Sequence, residues 1–271
     1  MAEVDGDRGY RDAVRETRIA VTDGTLIPDR NEKSIFSAWR ISFFGAIALL
    51  IILPVFSPRP YLDIIRFIPD GIFRTLQVTV LSILLALVIG LIAGLGRISR
   101  VTVINRIATI YVEVIRGIPL LVQLFYIYYA LGALVQLPRL TSAVIAMSVC
   151  YGAYMGEIFR AGILSIPKGQ MEAALALGMS RSQALRKVIL PQTLRVILPP
   201  VGNEFIALLK DSSLVSVIAV SDLLRRGREY AATTFRYFET FTVIALVYLI
   251  LTLFFSRLVA YMEDRMARRG K

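Results

Sequence analysis

"MEAALALGMSRSQALRKVILPQ", Met171 to Gln192, is the stretch on which the reading of the whole chain turns. Its apolar residues form clusters too short to cross a bilayer, a glycine interrupts them, and Arg181, Arg186 and Lys187 follow. The local grammar is helical. Pro167 supplies a start, since its fixed φ suits a first turn, and Gln170 to Leu177 are good helix formers. Gly178 can take the left-handed conformation that closes a helix. Ser180 and Gln183 have the spacing of a capping box for a second helix, which runs toward Leu190 and is expected to stop or kink at Pro191. Met171, Ala174, Leu175 and Gly178 recur at three- and four-residue spacing on one face, with Glu172 beside it. A short helix of this kind either lies against the ends of its own neighbours or fits a groove on a soluble partner; periodicity leaves both open.

The surroundings are apolar. Hydrophobic residues make up 56% of the 271 and mean hydropathy is +0.65, above what a soluble domain carries, so the chain is expected to be an all-α polytopic membrane protein. Histidine is absent and the single cysteine, Cys150, sits in an apolar run. Disulfides, thiolate metal clusters and histidine-based catalysis are thereby excluded, and no metal or other cofactor is expected. The net charge of +11 follows from basic residues flanking membrane spans and needs no nucleic acid partner.

A span takes about 20 mostly apolar residues. Six candidates appear: Ile41 to Phe56, Leu76 to Leu95, Ala108 to Leu134 with Pro119 inside it, Leu140 to Leu164, Thr193 to Leu209, and Thr240 to Met262. Most Lys and Arg residues fall on the side shared by the N-terminal tail, the 164–190 loop and the C-terminus, which places both termini in the cytoplasm. Residues 1–40 form a charged cytoplasmic tail without an apolar run, so no signal peptide is expected there. Against this count, Arg225, Arg226, Arg228 and Arg236 lie on the outer side; the apolar stretch Ser212 to Leu224 is expected to continue span five as a re-entrant or interfacial helix whose outer end these arginines cap.

Taken together, Glu172, Ala173, Ala174, Gly178 and the run Val188-Ile189-Leu190-Pro191 resemble the EAA loop of permease subunits of bacterial ABC importers, with Val188 in place of the usual first isoleucine. "RGIPLLVQLFYIYY" at Arg116, "EIFRAGILSIPKGQ" at Glu157 and "GNEFIALLKDSSL" at Gly202 are similar to polar amino acid permeases in particular. The resemblance implies the type I ABC importer permease fold (MetI-like), with five core transmembrane helices plus one extra N-terminal helix. It divides the chain into a tail (1–40), an added helix and outer loop (41–72), a permease domain (73–262) holding the 164–190 loop, and a basic cytoplasmic tail (263–271).

Implied partners are two copies of an ABC ATPase, a second permease subunit, identical or paralogous, an extracytoplasmic substrate-binding protein, and membrane lipid in the bacterial inner membrane. The chain holds no Gly-Lys-Ser or Gly-Lys-Thr, so nucleotide phosphates have no P-loop here. Hydrolysis is accordingly expected on the partner, and this chain is expected not to be an enzyme. Glu172 would offer its carboxylate to a basic ATPase residue, Ala173 and Ala174 would permit close approach, and Gly178 would set the turn.

The transport pathway is expected among polar residues at membrane depth, where an ionisable group is costly unless it faces a cavity. Glu204 could pair with a substrate ammonium and Asn203 with its carboxylate, in a helix loosened by Pro199 and Pro200; a structural pair between subunits is the alternative. Gln123, Tyr126 and Tyr129 form a second polar stripe beyond the break at Gly117 to Pro119, near an outer gate or an interfacial belt. Glu113 with Arg116, and Glu157 with Arg160, are expected as structural i to i+3 pairs. Gly90, Gly94 and Gly96 offer a small-residue face for tight helix packing. A secondary transporter working without an ATPase is the rival reading, and an intramembrane enzyme a weaker one, since no nucleophile and base are visible together.

Overall fold

The computed structural model describes residues 37–268. The charged tail expected over 1–40 therefore lies almost wholly outside the described residues, as does the end of the basic tail. All regular structure among the described residues is helical.

Helix α1, Ala38–Phe56, starts on Ser37, whose hydroxyl accepts from the Arg40 amide. It lies against the last helix through Trp39, whose indole N–H donates to the Leu253 carbonyl at 3.0 Å and whose ring is faced by Arg257. The stretch after it is not the loop expected from sequence. Pro58–Phe67 forms α2, which buries Tyr61 and Ile64 because its apolar residues fall on one face, and it is followed at once by α3, Pro69–Arg97.

Helix α3 and α6, Arg139–Leu164, form the centre. Glycine explains their contact. A Cβ on Gly90 would collide with that of Met155 and lie 3.0 Å from the Gly152 carbonyl oxygen, and one on Gly94 would lie 2.8 Å from the Gly156 carbonyl oxygen. The backbones meet because no side chain separates them, as the small-residue face of Gly90 and Gly94 predicts. Gly96 does the same against Ala108 on α4, Thr102–Gly117.

The third expected span is bent. Between α4 and the next helical stretch, Leu120–Leu131, the axis turns by 104°. Ile118 precedes a proline and is pushed to extended backbone, φ −108° and ψ 130°, so the helix ends at Gly117. The continuation is α5, Leu120–Phe125, running into a π-helical turn, Tyr126–Leu131.

After α6 come the short helix α7, Lys168–Ala176, then α8, Arg181–Ala184, a π-helical turn at Leu185–Ile189, and α9, Leu190–Asp211. At Pro191, where the helix was expected to stop or kink, it does not stop. The wider π turn falls where a proline ring would otherwise crowd the preceding carbonyl, and helix continues through it. Beyond α9 the chain makes a 3₁₀ segment, Ser212–Ile218, and Ala219 at φ 63° ends it, short of the helix expected to reach Leu224. Asp222 then caps α10, Leu223–Thr234, accepting from the Leu224 and Arg225 amides. The four arginines expected on the outer side lie within and just after α10 and do not cap the preceding segment: Arg225 and Arg226 pair with Glu229, Arg226 also with Asp70, and Arg236 with Glu239. Helix α11, Tyr237–Arg268, completes the bundle.

Among the described residues four helices are long and apolar enough to cross a membrane (α1, α3, α6 and α11), and the bent pair makes a fifth if it counts as one span. Helix α9 has the length, but Arg195, Glu204 and Lys210 make it too polar to stand among these, and it packs against α6 and α11. Three apolar cores result among the described residues: one around α3, α6 and the inner face of α9, one joining α2, the start of α10 and α11 through Ile64, Ile68, Leu223, Val243 and Ile244, and a small one of Ala93, Val112 and Ala153 where α3, α4 and α6 meet.

Candidate functional site

The Met171–Gln192 segment has a defined shape. Leu177 ends α7 and Gly178 stands at φ +79°; its amide donates to Leu175 O at 3.0 Å, and that of Met179 to Ala174 O at 3.1 Å. These are the two bonds of a Schellman closure, which satisfies carbonyls the helix end leaves open. Ser180 and Gln183 form the reciprocal capping box, each side chain bonded to the other residue's amide.

The helix rests on its own chain through Ala174, which is 4% exposed, while Ala184 and Ile189 are the buried positions of the elements it packs against. Gln192 adds a side-chain bond to Gln170 at 3.1 Å. Glu172, Ala173, Leu175 and Leu177 point to solvent, Leu177 being 81% exposed. The single apolar face read from spacing thus splits. Ala174 holds the helix to the bundle, and Leu175 joins Glu172 and Ala173 on the free side. The helix has both properties that periodicity left open, a seat and an exposed surface.

A triad stands at the near ends of α3 and α6. Glu157 pairs with Arg160, as its spacing predicts, and also with Arg97 from α3. Asn105 donates to the Arg97 carbonyl and ties the α3–α4 turn to the same point.

Deeper in the bundle, polar groups converge from three directions. Glu204 and Asp211 are seven residues apart on α9, two turns, and share a face. Tyr151 of α6 donates to Asp211 Oδ2 at 2.8 Å. Arg116 does not pair with Glu113, its expected partner; its guanidinium lies 5.2 Å from the centroid of the Tyr154 ring and acts electrostatically on Glu204. A geometric reason is at hand, since Arg116 is the penultimate residue of α4, where the chain turns away from the α4 axis toward α6.

Gln123 is buried at 6% and its amide donates to the carbonyls of Ile115 and Ile118, both at 2.8 Å. It closes the backbone groups freed by the break, the condition under which a bend is tolerated within a membrane. Its side chain adjoins Cys150 of α6, the residue before Tyr151. Tyr126 and Tyr129 are 65% and 60% exposed on the outside of the π turn, apart from it. Asn203, next to Glu204, is exposed. Of the pathway residues expected from sequence, Glu204 lies in the polar group and Gln123 is buried against the bend, while Asn203 and Tyr126 are exposed. Arg116, Tyr151, Tyr154 and Asp211 were missed, although ionisable Arg116 and Asp211 in apolar surroundings carried the signal that singled out Glu204.

A bundle of apolar helices long enough to cross a membrane, with polar groups inside it and an exposed helical loop, is the architecture of a multi-pass membrane protein. Residues 86–268 match the family described as binding-protein-dependent transport system inner membrane component. The chain is 44% identical over 200 residues to the glutamine transport system permease protein GlnP of Escherichia coli (strain K12), covering 73% of this chain and 91% of that one. Its fold superimposes on the crystal structure of an amino acid ABC transporter with histidines, with TM-score 0.71 and 41% identity over 75% of this chain and 96% of that chain. Inward-facing structures of the MetNI methionine ABC transporter share the fold at TM-score 0.61 and 23% identity, over 77% of this chain and 98% of that chain. The chain belongs to this family of permease subunits of ABC importers, and its relatives within it are amino-acid permeases.

Proposed function

We propose that this chain is the translocating subunit of an ATP-driven importer of a polar amino acid or a close relative such as an opine. It works with a second permease subunit and two ATPase subunits, and an extracytoplasmic binding protein delivers the substrate. Both termini are cytoplasmic, and ATP is hydrolysed on the partner.

One observation carries the reading. The exposed helix α7, closed by the left-handed turn at Gly178, leads through the uninterrupted helical run Arg181 to Asp211 to the carboxylates of Glu204 and Asp211. A displacement of α7 by the ATPase, received on Glu172, Ala173 and Leu175, is thereby passed to the groups that meet the substrate. Two conformations of the bundle are then biased by nucleotide at one end and by substrate at the other. Within the polar cluster Glu204 is suited to an ammonium group and Arg116 to a carboxylate, the two charged ends every free amino acid presents.

Uptake into proteoliposomes tests this. The chain reconstituted with its ATPase and permease partners is expected to accumulate a labelled amino acid only with ATP. Uptake by the chain alone on an ion gradient would establish the secondary-transporter reading instead. Glu204→Gln is expected to lower uptake by about tenfold or more, as charged hydrogen bonds are worth roughly 1.5–3 kcal/mol, while the complex still assembles. Full uptake by that variant removes Glu204 from the pathway.

A further inference from the structure

Where α10 meets the first turn of α11, a cleft of about 450 Å³ opens, lined by Arg225, Arg228, Glu229, Ala232, Tyr237 and Phe241. Its charges do not cancel. Arg226 is held by Asp70 and Glu229, and Arg225 meets Glu229 at 2.9 Å, whereas Arg228 is exposed and has no acidic partner among the described residues. The cleft therefore presents one uncompensated guanidinium, with the remaining N–H groups of Arg225 beside it.

The rim is aromatic and open. Phe235 is 81% exposed and Phe238 78%, with Tyr237 at 50%. Phe235 also stands at φ 60°, where it closes α10 through the bond its amide donates to the Ala231 carbonyl at 2.8 Å, and its ring is left exposed. These rings sit at the end of α11, an apolar helix long enough to cross a membrane, which puts them where the bilayer's polar and apolar zones meet.

We propose that this cleft binds the phosphodiester headgroup of an anionic phospholipid, with an acyl chain laid along Phe238 and Phe241. A phosphodiester carries a single negative charge and matches the single uncompensated arginine. The aromatic rim requires an apolar neighbour that a free anion does not bring. Lipid contact takes the exposed Phe235 and Phe238 rings out of water. Because α10 also packs against α2 and α3, an occupant of the cleft braces this face of the bundle.

The test is native mass spectrometry of the full-length chain in detergent, titrated with phosphatidylglycerol or phosphatidylcholine. Phosphatidylglycerol is expected to be retained in preference, and Arg228→Gln to weaken that retention about fivefold, the usual worth of one cation near an anionic surface. Phosphatidylcholine binding should be unchanged, and Arg228→Lys should restore most of the preference. Inorganic phosphate should not displace the lipid. Should Arg228→Gln fail to fold, Phe238→Ala is expected to lower retention about threefold by removing chain contact alone. Retention equal to wild type in the folded variants overturns the site, as does displacement by inorganic phosphate. If Arg228→Gln retains lipid fully but weakens capture of an extracytoplasmic binding protein, the cleft docks protein and the lipid assignment fails.

Discussion

Replacing Gly178 isolates one physical effect. A Cβ built on Gly178 has no heavy atom within 4 Å, so a side chain there collides with nothing, and the whole cost lies in its backbone, held at φ +79°. Alanine in that region costs about 1–2 kcal/mol relative to glycine, whereas asparagine visits it more readily. One to two kcal/mol is roughly a five- to thirtyfold shift in how often the turn opens. Opening breaks the bonds from Gly178 N to Leu175 O and from Met179 N to Ala174 O, so the amides of these two residues report it. Hydrogen exchange is the matching assay. Gly178→Ala is expected to lose protection at both amides by about that factor, and Gly178→Asn to lose distinctly less. ATP-driven uptake in the assembled importer should fall in the same order. Equal protection in the alanine variant and the wild type would refute the argument, because it would mean that left-handed geometry does not hold the end of α7.

Two further outcomes follow from the same structure. Gly90→Ala places a methyl against Met155 and 3.0 Å from two backbone atoms of α6, so thermal unfolding of the purified chain should register a loss of about 1–3 kcal/mol; Gly45→Ala, with open space around it in α1, should be neutral or stabilising by up to about 1 kcal/mol, and equal behaviour of the two would argue against the glycine seam. Burial pushes the Asp222 carboxyl up to about 6 despite its bonds to the Arg225 and Leu224 amides, and a folded value above the unfolded one means that the native state holds its proton longer; stability should therefore decline as pH rises from about 4 through 6, and Asp222→Asn, which keeps the cap, should remove that part of the slope in pH-dependent unfolding.

What could be read from sequence had a local or a compositional cause. The α7 start after Pro167, the turn at Gly178 and the capping box at Ser180 depend on residues within a few positions of one another, and spacing alone revealed them. Gly90 and Gly94 announced a close helix contact, though not with which helix. The misreadings arise where distant residues decide. Pro191 was expected to stop or kink the helix because of its own ring; it does not stop it, since the preceding π turn relieves the conflict and the helix runs on. Arg116 was given to Glu113 by spacing, yet the sharp bend two residues later takes it to Tyr154. Gln123 resembled a pathway residue because it is polar among apolar neighbours; its burial serves the backbone carbonyls that Pro119 leaves without partners. The segment after α1 was expected as an outer loop, and its helix is stabilised by packing on α10 and α11, residues far away in sequence.

The π turn at Leu185–Ile189 does more than let the chain pass a proline. An extra residue in one turn advances the angular phase of everything after it by about 100°, since an α-helix turns through 360° in 3.6 residues. The compass bearing of Glu204 and Asp211 is therefore fixed about four turns before Glu204, at the approach to α9. Shortening that turn by one residue would keep both carboxylates in the sequence and swing them out of the space shared with Tyr151 and Arg116.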